Sequence, residues 1–476
     1  MMLETSKKLS FGTDGFRGII ALDFTYDNIR RIAQGFADLL AYKGGKESKI
    51  KIFIGYDRRF LSERFAKEFA AVLVNNDFEC VVSKTPITTP MVSYLTTTDY
   101  NYGVMITASH NGFLYNGVKI KHLGRSVLPS FTSELELYIE NNKNVRVSRN
   151  LNREIHEADL RENYVRYLNS RFDIKKIVSS INGKIVVDFM YGSSADIAQM
   201  IFKGLQNVIM IRTKRDPLFG EISAPEPKED KLKALKKAVV ENNAVCGLAL
   251  DGDGDRFACV DEKGNYLPPT IVAPLFLDYL VNLRGMKGKV VQAVSLGFLT
   301  RRIASEKNLI FEFTPVGFKY IADRMAEGDT LFGAEESGGY SWKGNIPERD
   351  GFVSMMMLCE IISFRKKKLS QIVEQLLAKY GSSCFIREDI TLSKVIPSKY
   401  HFAVKIKSRL PKNIISYKIA EVITLDGIKV ILDNDWWFLA RPSGTEPLLR
   451  IYAEADSKSN TKKLISFAKD LVLGSI

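Results

Sequence analysis

Along most of the chain, short apolar runs rich in β-branched residues alternate with longer stretches whose apolar residues recur at helical spacing. Lys49–Gly55 (KIKIFIG) predicts a strand and Glu63–Val74 a helix, followed by strands at Cys80–Val82 and Gly103–Ile106. The plan repeats from Asn182, with strands at Lys184–Phe189, Val208–Ile211 and Val245–Leu250 and helices at Ala195–Phe202 and Lys231–Asn242. A third round takes in Lys289–Ala293, Leu309–Phe313 and Leu331-Phe332, and helix-rich sequence from Phe352 to Lys379 closes it. Strands separated by helical stretches of ~10–15 residues predict parallel α/β sheets. From about Phe385 the pattern changes. Strands at Lys429–Leu432, Trp436–Ala440 and Leu448–Ala453 and an amphipathic helix at Ser459–Leu473 predict a smaller α+β domain. The expected class is α/β: three related units, 1–150, 151–263 and 264–384, with seams near Leu151–Arg153 and Asp261–Gly264, then 385–476.

Composition agrees. At ~100–200 residues per domain, 476 residues imply three or four domains. An apolar share of 45% with 26% charged residues is that of a globular protein and argues against general disorder. The longest near-apolar stretch, Phe352–Phe364, is interrupted by Glu360 and falls short of the ~18 residues of a membrane span, so no membrane partner is expected. The first residues, MMLETSKKLSFGTDG, carry no apolar secretory core. Five cysteines, an odd number with no CxxC pair, indicate reduced thiols in a cytoplasmic protein and exclude a disulfide scaffold or a thiolate zinc site. The net charge of +13 invites a nucleic-acid reading. Yet the longest basic run is Arg365-Lys366-Lys367-Lys368, acids are interleaved elsewhere, and no aromatic-plus-basic strip exists, so no nucleic acid is expected. Small anionic substrates or a solvated surface account for the charge equally well.

Candidate chemistry sits in the loops that follow apolar strands, where open α/β sheets bind ligands. Asp251-Gly252-Asp253-Gly254-Asp255-Arg256 places three carboxylates at alternate positions, separated by glycines that let the backbone curl. Such hard oxygen ligands suit Mg²⁺, Ca²⁺ or Mn²⁺. An acidic surface turn is the plainer alternative. An EF-hand would use Glu262 at position 12, but its position 6 wants Gly where this chain has Arg256. With three carboxylates beside an arginine, the loop wants a further anionic ligand, and phosphate is the natural one.

In Thr107-Ala108-Ser109-His110-Asn111-Gly112, Ser109 at a strand end is a candidate nucleophile and His110 can orient or exchange protons, although Ser and Asn serve turn chemistry in many loops. Asn116-Gly117-Val118-Lys119 brings a lysine near the same loop, either as a phosphate partner or as a proton carrier. Arg441-Pro442-Ser443-Gly444-Thr445-Glu446-Pro447 reads as an anion cradle or an ordinary polar turn, with Arg450 as a second positive group or a strand decoration. Glu335-Glu336-Ser337-Gly338-Gly339 offers acceptors for sugar hydroxyls. Phe11–Gly18 (FGTDGFRG) precedes no clear Rossmann strand, so the dinucleotide fingerprint does not apply.

In this order FGTDGFRG, TASHN with NGVK, DGDGDR, TPVGFK, GAEESGG with IPERDG, and RPSGTEP resemble the α-D-phosphohexomutases, the phosphoglucomutase and phosphomannomutase family, across residues 11 to 447. The resemblance implies four domains around a central cleft, the first three α/β with mixed sheets. It implies an isomerase-class phosphotransferase that interconverts hexose 1- and 6-phosphates through a phosphoserine and a hexose 1,6-bisphosphate, which also serves as activator. The phosphoserine maps to Ser109, and Mg²⁺ to Ser109, Asp251, Asp253 and Asp255. Arg17, Lys119 and Arg256 match basic active-site positions, with Lys119 the general acid/base and His110 in support. Glu335 and Ser337 map to the sugar loop, and Arg441, Ser443, Gly444 and Thr445 to the phosphate loop. Lys319, Arg349 and Arg450 are further substrate contacts. Two positions depart from the family: Gly112 stands where Pro is usual, and Gly339 where the mannose/glucose branch often has His. The remaining loops place glucose phosphate first, mannose phosphate second and glucosamine phosphate third. A non-catalytic phosphosugar-binding relative is the alternative of a different class, and oligomeric state has no signal in the sequence.

Overall fold

The computed structural model describes residues 9–12, 14–44, 49–141, 145, 155–444 and 446–474. The first expected seam, near Leu151–Arg153, and the candidate phosphate ligand Thr445 lie outside the described residues. The chain forms two compact units, Met1–Tyr266 with Gly339–Leu369, and Leu267–Gly338 with Ser370–Ile476.

The first unit holds two sheets. In the first, β1 (Phe16–Ile19), β2 (Lys51–Tyr56), β3 (Glu79–Ser83), β4 (Tyr102–Ile106), β5 (Tyr115–His122), β6 (Arg125–Ser126) and β7 (His156–Ala158) take the order β1-β5-β4-β2-β3-β7, with β6 beside β5. β4, β2, β3 and β7 run parallel, and β5 is antiparallel to both β4 and β1. Five of the six β2 residues are buried, as expected of a strand covered on both faces. Helix α1 (Tyr26–Gly44) buries Ile29, Ile32, Ala33, Phe36, Leu39 and Leu40, a 3.6-period stripe, and packs on α2 (Ser62–Asn75). The second sheet includes the run β11-β10-β8-β9, from β8 (Ile185–Asp188), β9 (Val208–Ile211), β10 (Cys246–Leu250) and β11 (Phe257–Asp261); β10, β8 and β9 are parallel, and β11 is antiparallel to β10.

The parallel strands that the helical spacing predicts are present, and antiparallel strands beside them make both sheets mixed, the expected fold class. The reason is loop length. The segments between β4 and β5 and between β10 and β11 are too short for the crossover that a parallel pair requires, so each strand turns back as a hairpin. The helix-rich stretch also divides. Gly351–Arg365 ends at Lys366, which adopts a left-handed φ of 51°, and a new helix runs Leu369–Tyr380.

In the second unit, Lys289–Ala293 lies between the parallel strands Phe311–Thr314 and Thr330–Glu335. The C-terminal strands Cys384–Thr391, Leu448–Ala455, Trp437–Pro442, Ile428–Leu432, Tyr417–Ile423 and Asn413–Ile414 form one antiparallel sheet in that order, with the helix Lys458–Leu473 packed on it. This is the expected α+β piece. No described helix is long and apolar enough to cross a membrane. All five cysteines are free; Cys80, Cys246, Cys259 and Cys359 are buried and Cys384 is partly so.

Candidate active site

Both hairpins of the first unit carry chemistry. β4 enters Thr107–Gly112 and returns as β5, while β10 enters Asp251–Arg256 and returns as β11. Ser109 is fully buried at a left-handed φ of 52°. Its N–H donates to Thr107 Oγ1 at 2.8 Å, and its hydroxyl donates to Asp251 Oδ2 at 2.9 Å and lies 3.4 Å from His110 Nδ1. The serine and the aspartate loop, 142 residues apart in sequence, are therefore in direct contact.

Asp251 Oδ1 accepts the N–H groups of Asp255 and Arg256 at 2.9 and 3.1 Å, which curls the loop back on itself. Gly254 is required there: its φ is 73°, and a Cβ would sit 2.5 Å from Ser194 Oγ. The three buried aspartates each offer an oxygen, all within 4.8 Å of one another. Asp253 Oδ1 and Asp255 Oδ1 are buried with no hydrogen-bond donor. Bare carboxylate oxygens in such a setting are costly, and a hard divalent cation satisfies them. The donor set thus fits Mg²⁺. Burial, then the charges of Asp255 and Asp253, push the Asp251 carboxyl well above the usual range. The EF-hand alternative fails because the loop joins two antiparallel strands rather than two helices.

Lys119, on β5, is 1% exposed, and its Nζ lies 2.8 Å from each of Asp14, Asp253 and Asp255. Burial favours the neutral amine, but these three carboxylates outweigh it and hold Lys119 above the ordinary lysine range. Arg349 Nη2 donates to Asp14 at 2.7 Å and to Asp255 at 2.8 Å. Arg17 lies 3.8 Å from Asp14 and donates to Asn111 Oδ1. Arg256 lies 3.5 Å from Glu226, and its buried Nε has no acceptor. Burial, then Arg256, Arg17, Arg349 and Lys119, depress the His110 pKa well below normal, so its imidazole is neutral. Ser109, His110, Lys119, Arg17, Arg256, Arg349 and the three aspartates are thus tied together by direct contacts and mutual electrostatics.

Sequence reasoning assigns no role to three residues of this cluster, although Asp14 lies within FGTDGFRG and Glu348 within IPERDG. Asp14 meets Lys119, Arg349, Arg17 and, at 4.0 Å, Lys121. Its neighbour Gly15, at φ 92°, brings the segment against β5, where a Cβ would meet Val118 O at 2.3 Å. Thr89 donates its hydroxyl to Asp253 Oδ2 and its N–H to Asp253 O. Glu348 accepts from Lys121 Nζ at 2.6 Å.

In the second unit, Glu335 is buried at the end of its strand and accepts the Ser337 hydroxyl, while Glu336 accepts that of Ser295. Arg441 and Arg450 stand opposite each other on paired strands. Asp426 binds Arg441 Nε at 2.7 Å, Lys399, and the N–H of Val316 in the TPVGFK loop at 3.1 Å. Lys319, in the first turn of the helix Phe318–Ala326 that follows, sits 5.3 Å from the Tyr320 ring centre. Arg450 lies 3.7 Å from Glu446. Ser443 Oγ accepts the Glu446 N–H at 3.3 Å, and a Cβ on Gly444 would meet nothing within 4 Å.

Comparison with known proteins gives matches along nearly the whole chain. Residues 8–146, 162–264 and 269–380 match the models of phosphoglucomutase/phosphomannomutase alpha/beta/alpha domains I, II and III, and residues 404–470 match that of the C-terminal domain. The phosphoglucosamine/phosphogalactosamine mutase of Sulfurisphaera tokodaii is 30% identical over 98% of this chain and 99% of its own. The phosphoglucosamine mutase of Clostridioides difficile is 28% identical over 97% and 98%. A crystal structure from Thermus thermophilus, described as a candidate phosphomannomutase, is 29% identical, covers 99% of this chain and 100% of its own, and superposes with a TM-score of 0.85.

Proposed function

Because this chain belongs to the phosphoglucomutase/phosphomannomutase family, and so is an enzyme of the isomerase class, we propose that it interconverts the 1- and 6-phosphates of a hexose, glucosamine first. The observation that carries the chemistry is the Ser109 hydroxyl, 2.9 Å from Asp251 in the carboxylate cluster. The choice of sugar rests on the two relatives named for glucosamine phosphate, each matching over almost its full length. They move glucosamine ahead of the glucose placed first by the loop motifs; glucose and mannose phosphates follow.

In this reading Ser109 carries a phosphoryl group. Its P–O bond breaks as a new P–O bond forms to the free hydroxyl of the sugar phosphate, giving a hexose 1,6-bisphosphate. Lys119, held charged, gives a proton to the departing serine oxygen, and the proton of the attacking hydroxyl restores it. After the bisphosphate turns over, the same steps in reverse return its other phosphate to Ser109, so the bisphosphate also primes unphosphorylated enzyme as an activator. Such transfer depends on positioning and on neutralising oxygen charge. Asp251, Asp253, Asp255 and the Ser109 phosphate would hold Mg²⁺, which supplies positive charge next to the transferred group. Arg17, Arg256 and Arg349 serve the phosphoryl oxygens, with neutral His110 in support. Glu335 and Ser337 take sugar hydroxyls, and Arg441, Ser443, Gly444, Thr445 and Arg450 the non-reacting phosphate, with Lys319 assisting. We assign the four domains to 1–150, 151–263, 264–384 and 385–476, and a cytoplasmic setting in which the five free thiols stay reduced.

One coupled assay tests the reading. Glucosamine, glucose, mannose and N-acetylglucosamine 1-phosphates are compared under identical conditions with bisphosphate and Mg²⁺ present. The highest kcat/KM is expected for glucosamine 1-phosphate; preference for another sugar overturns the choice of substrate, and turnover of none overturns the activity. Ser109→Ala is expected to fold and to be inactive.

A further inference from the structure

Arg59 lies beneath the loop that presents Ser109 and is 0% exposed. All five of its N–H donors are committed. Nη2 donates to the carbonyls of Ser109 and Asn111, each at 2.6 Å, and Nη1 to those of Gly112 and Tyr115 at 2.8 and 3.1 Å. Nε donates to Asp57 Oδ2 at 3.1 Å. The Phe219 ring covers the guanidinium with its centre 4.9 Å away. Asp57 then closes the frame: it accepts from Thr107 Oγ1 at 2.6 Å and Ser62 Oγ at 2.8 Å, and Thr107 Oγ1 accepts the N–H of Ser109. The neighbouring Arg58 turns elsewhere, pairing with Asp196 at 2.7 Å.

Four carbonyl dipoles converging on one point repel one another unless a cation with several fixed donors sits among them. Ser109 also holds a left-handed backbone conformation, φ 52°, that an L residue keeps only where its surroundings over-determine it. Arg59 meets both requirements, and no donor remains for substrate. We infer that Arg59 is a positioning residue for the nucleophile: it sets the bend of residues 109–115 through their backbone and so aims Ser109 Oγ, without touching the sugar phosphate. Lysine cannot replace it, because three donors from one nitrogen cannot span four carbonyls. The inference rests on the reading of Ser109 as the phosphoryl carrier.

The test uses the full chain with Arg59→Lys, Arg59→Met and, in parallel, Ser109→Ala. Steady-state kinetics with glucosamine 1-phosphate and glucose 1-phosphate are combined with intact-mass measurement of phosphoryl uptake from glucose 1,6-bisphosphate. A nucleophile misplaced by about 1 Å loses roughly 100-fold in rate. Arg59→Met is therefore expected to lower kcat by about that factor while KM stays within about threefold, because no substrate contact is lost. Phosphoryl uptake should slow in step, and Arg59→Lys should fall between. A kcat near wild type in Arg59→Lys, or in folded Arg59→Met, overturns the inference, as does a loss confined to KM. Turnover in Ser109→Ala would instead overturn the reading of Ser109 and leave Arg59 a scaffold for an ordinary turn.

Discussion

Replacing Asp14 by asparagine removes one negative charge and little else, and the structure sets the size of the effect. Asp14 Oδ2 lies 2.8 Å from Lys119 Nζ and 2.7 Å from Arg349 Nη2, and Arg17 and Lys121 stand at 3.8 and 4.0 Å. At an effective dielectric of about 20, each short contact represents roughly 6 kcal/mol of gross attraction, most of it offset by the desolvation of both partners. What remains on breaking such a pair is about 3 kcal/mol, because Lys119 and Arg349 stay buried with one partner fewer. At about 2.1 cal/mol/K of unfolding entropy per residue, a unit of about 300 residues loses roughly 5 °C in Tm. The pH dependence has a definite sign. Burial raises the Asp14 pKa, but Lys119, Lys121, Arg349 and Arg17 together outweigh it and hold the carboxyl well below its usual range. A depressed carboxyl stabilises fully above the unfolded value, about 3.9, and loses that contribution as pH falls through the folded value. The Tm gap between wild type and Asp14→Asn should therefore be constant from about pH 8 to 5 and close only below about 4. Thermal unfolding at several pH values, with amide exchange of β5 as a local reporter, measures this. A gap under about 2 °C at neutral pH, or one that persists undiminished in acid, would show that Asp14 does not carry the charge balance assigned to it.

Three further outcomes are expected. Asp253→Asn and Asp255→Asn should weaken Mg²⁺ binding by about 100-fold in calorimetric titration, since even indirect supporting partners of a metal site account for 10–100-fold; unchanged affinity would remove their bare oxygens from the donor set. Lys119→Met should tighten Mg²⁺ binding, because a cation 2.8 Å from two of the carboxylates is gone, while lowering kcat by about 10²–10⁴-fold; weaker binding would show that Lys119 organises the site instead of competing in it. Lys429, 1% exposed above the Trp437 ring and donating to Val294 O at 2.7 Å, has its pKa lowered by burial to about 7. Between about pH 7 and 10 the unfolded chain then binds more protons at this site than the folded one, so wild type should gain stability over Lys429→Met as pH rises. A Tm difference that does not move with pH would refute it.

Much of the site was legible because its chemistry is local in sequence. Three carboxylates at alternate positions with glycines between them can serve few ends, and Asp251, Asp253 and Asp255 do converge. The expected strands were legible from their β-branched runs, to within one or two residues at most ends, but β1, β5, β7 and the C-terminal strands Cys384–Thr391 and Tyr417–Ile423 were not among them. Asp14 was not, since one acid among glycines acquires meaning only when β5 brings Lys119 and Lys121 beside it. Arg59 was still less visible: its partners are backbone carbonyls about fifty residues away, and backbone atoms leave no residue signature. The hairpins were missed for a related reason. Strand periodicity tells where a strand lies but not which way its neighbour runs, and only the shortness of the connecting loop decides that.

The division of the chain has a consequence for its synthesis. The first compact unit is not finished when residue 266 leaves the ribosome, because Gly339–Leu369 still belongs to it. That late segment supplies Glu348 to Lys121, Arg349 to Asp14 and Asp255, and the helix Gly351–Arg365 that packs on β10 and β11. At ordinary elongation rates the nascent first unit waits roughly 5–20 s for it. During that interval Lys121 lacks its carboxylate partner from the late segment, and the apolar surface of the second sheet that this helix covers stays open. A truncation at residue 266 should therefore be a chaperone client rather than a stable domain, and the last interval of folding closes the charge network around the nucleophile.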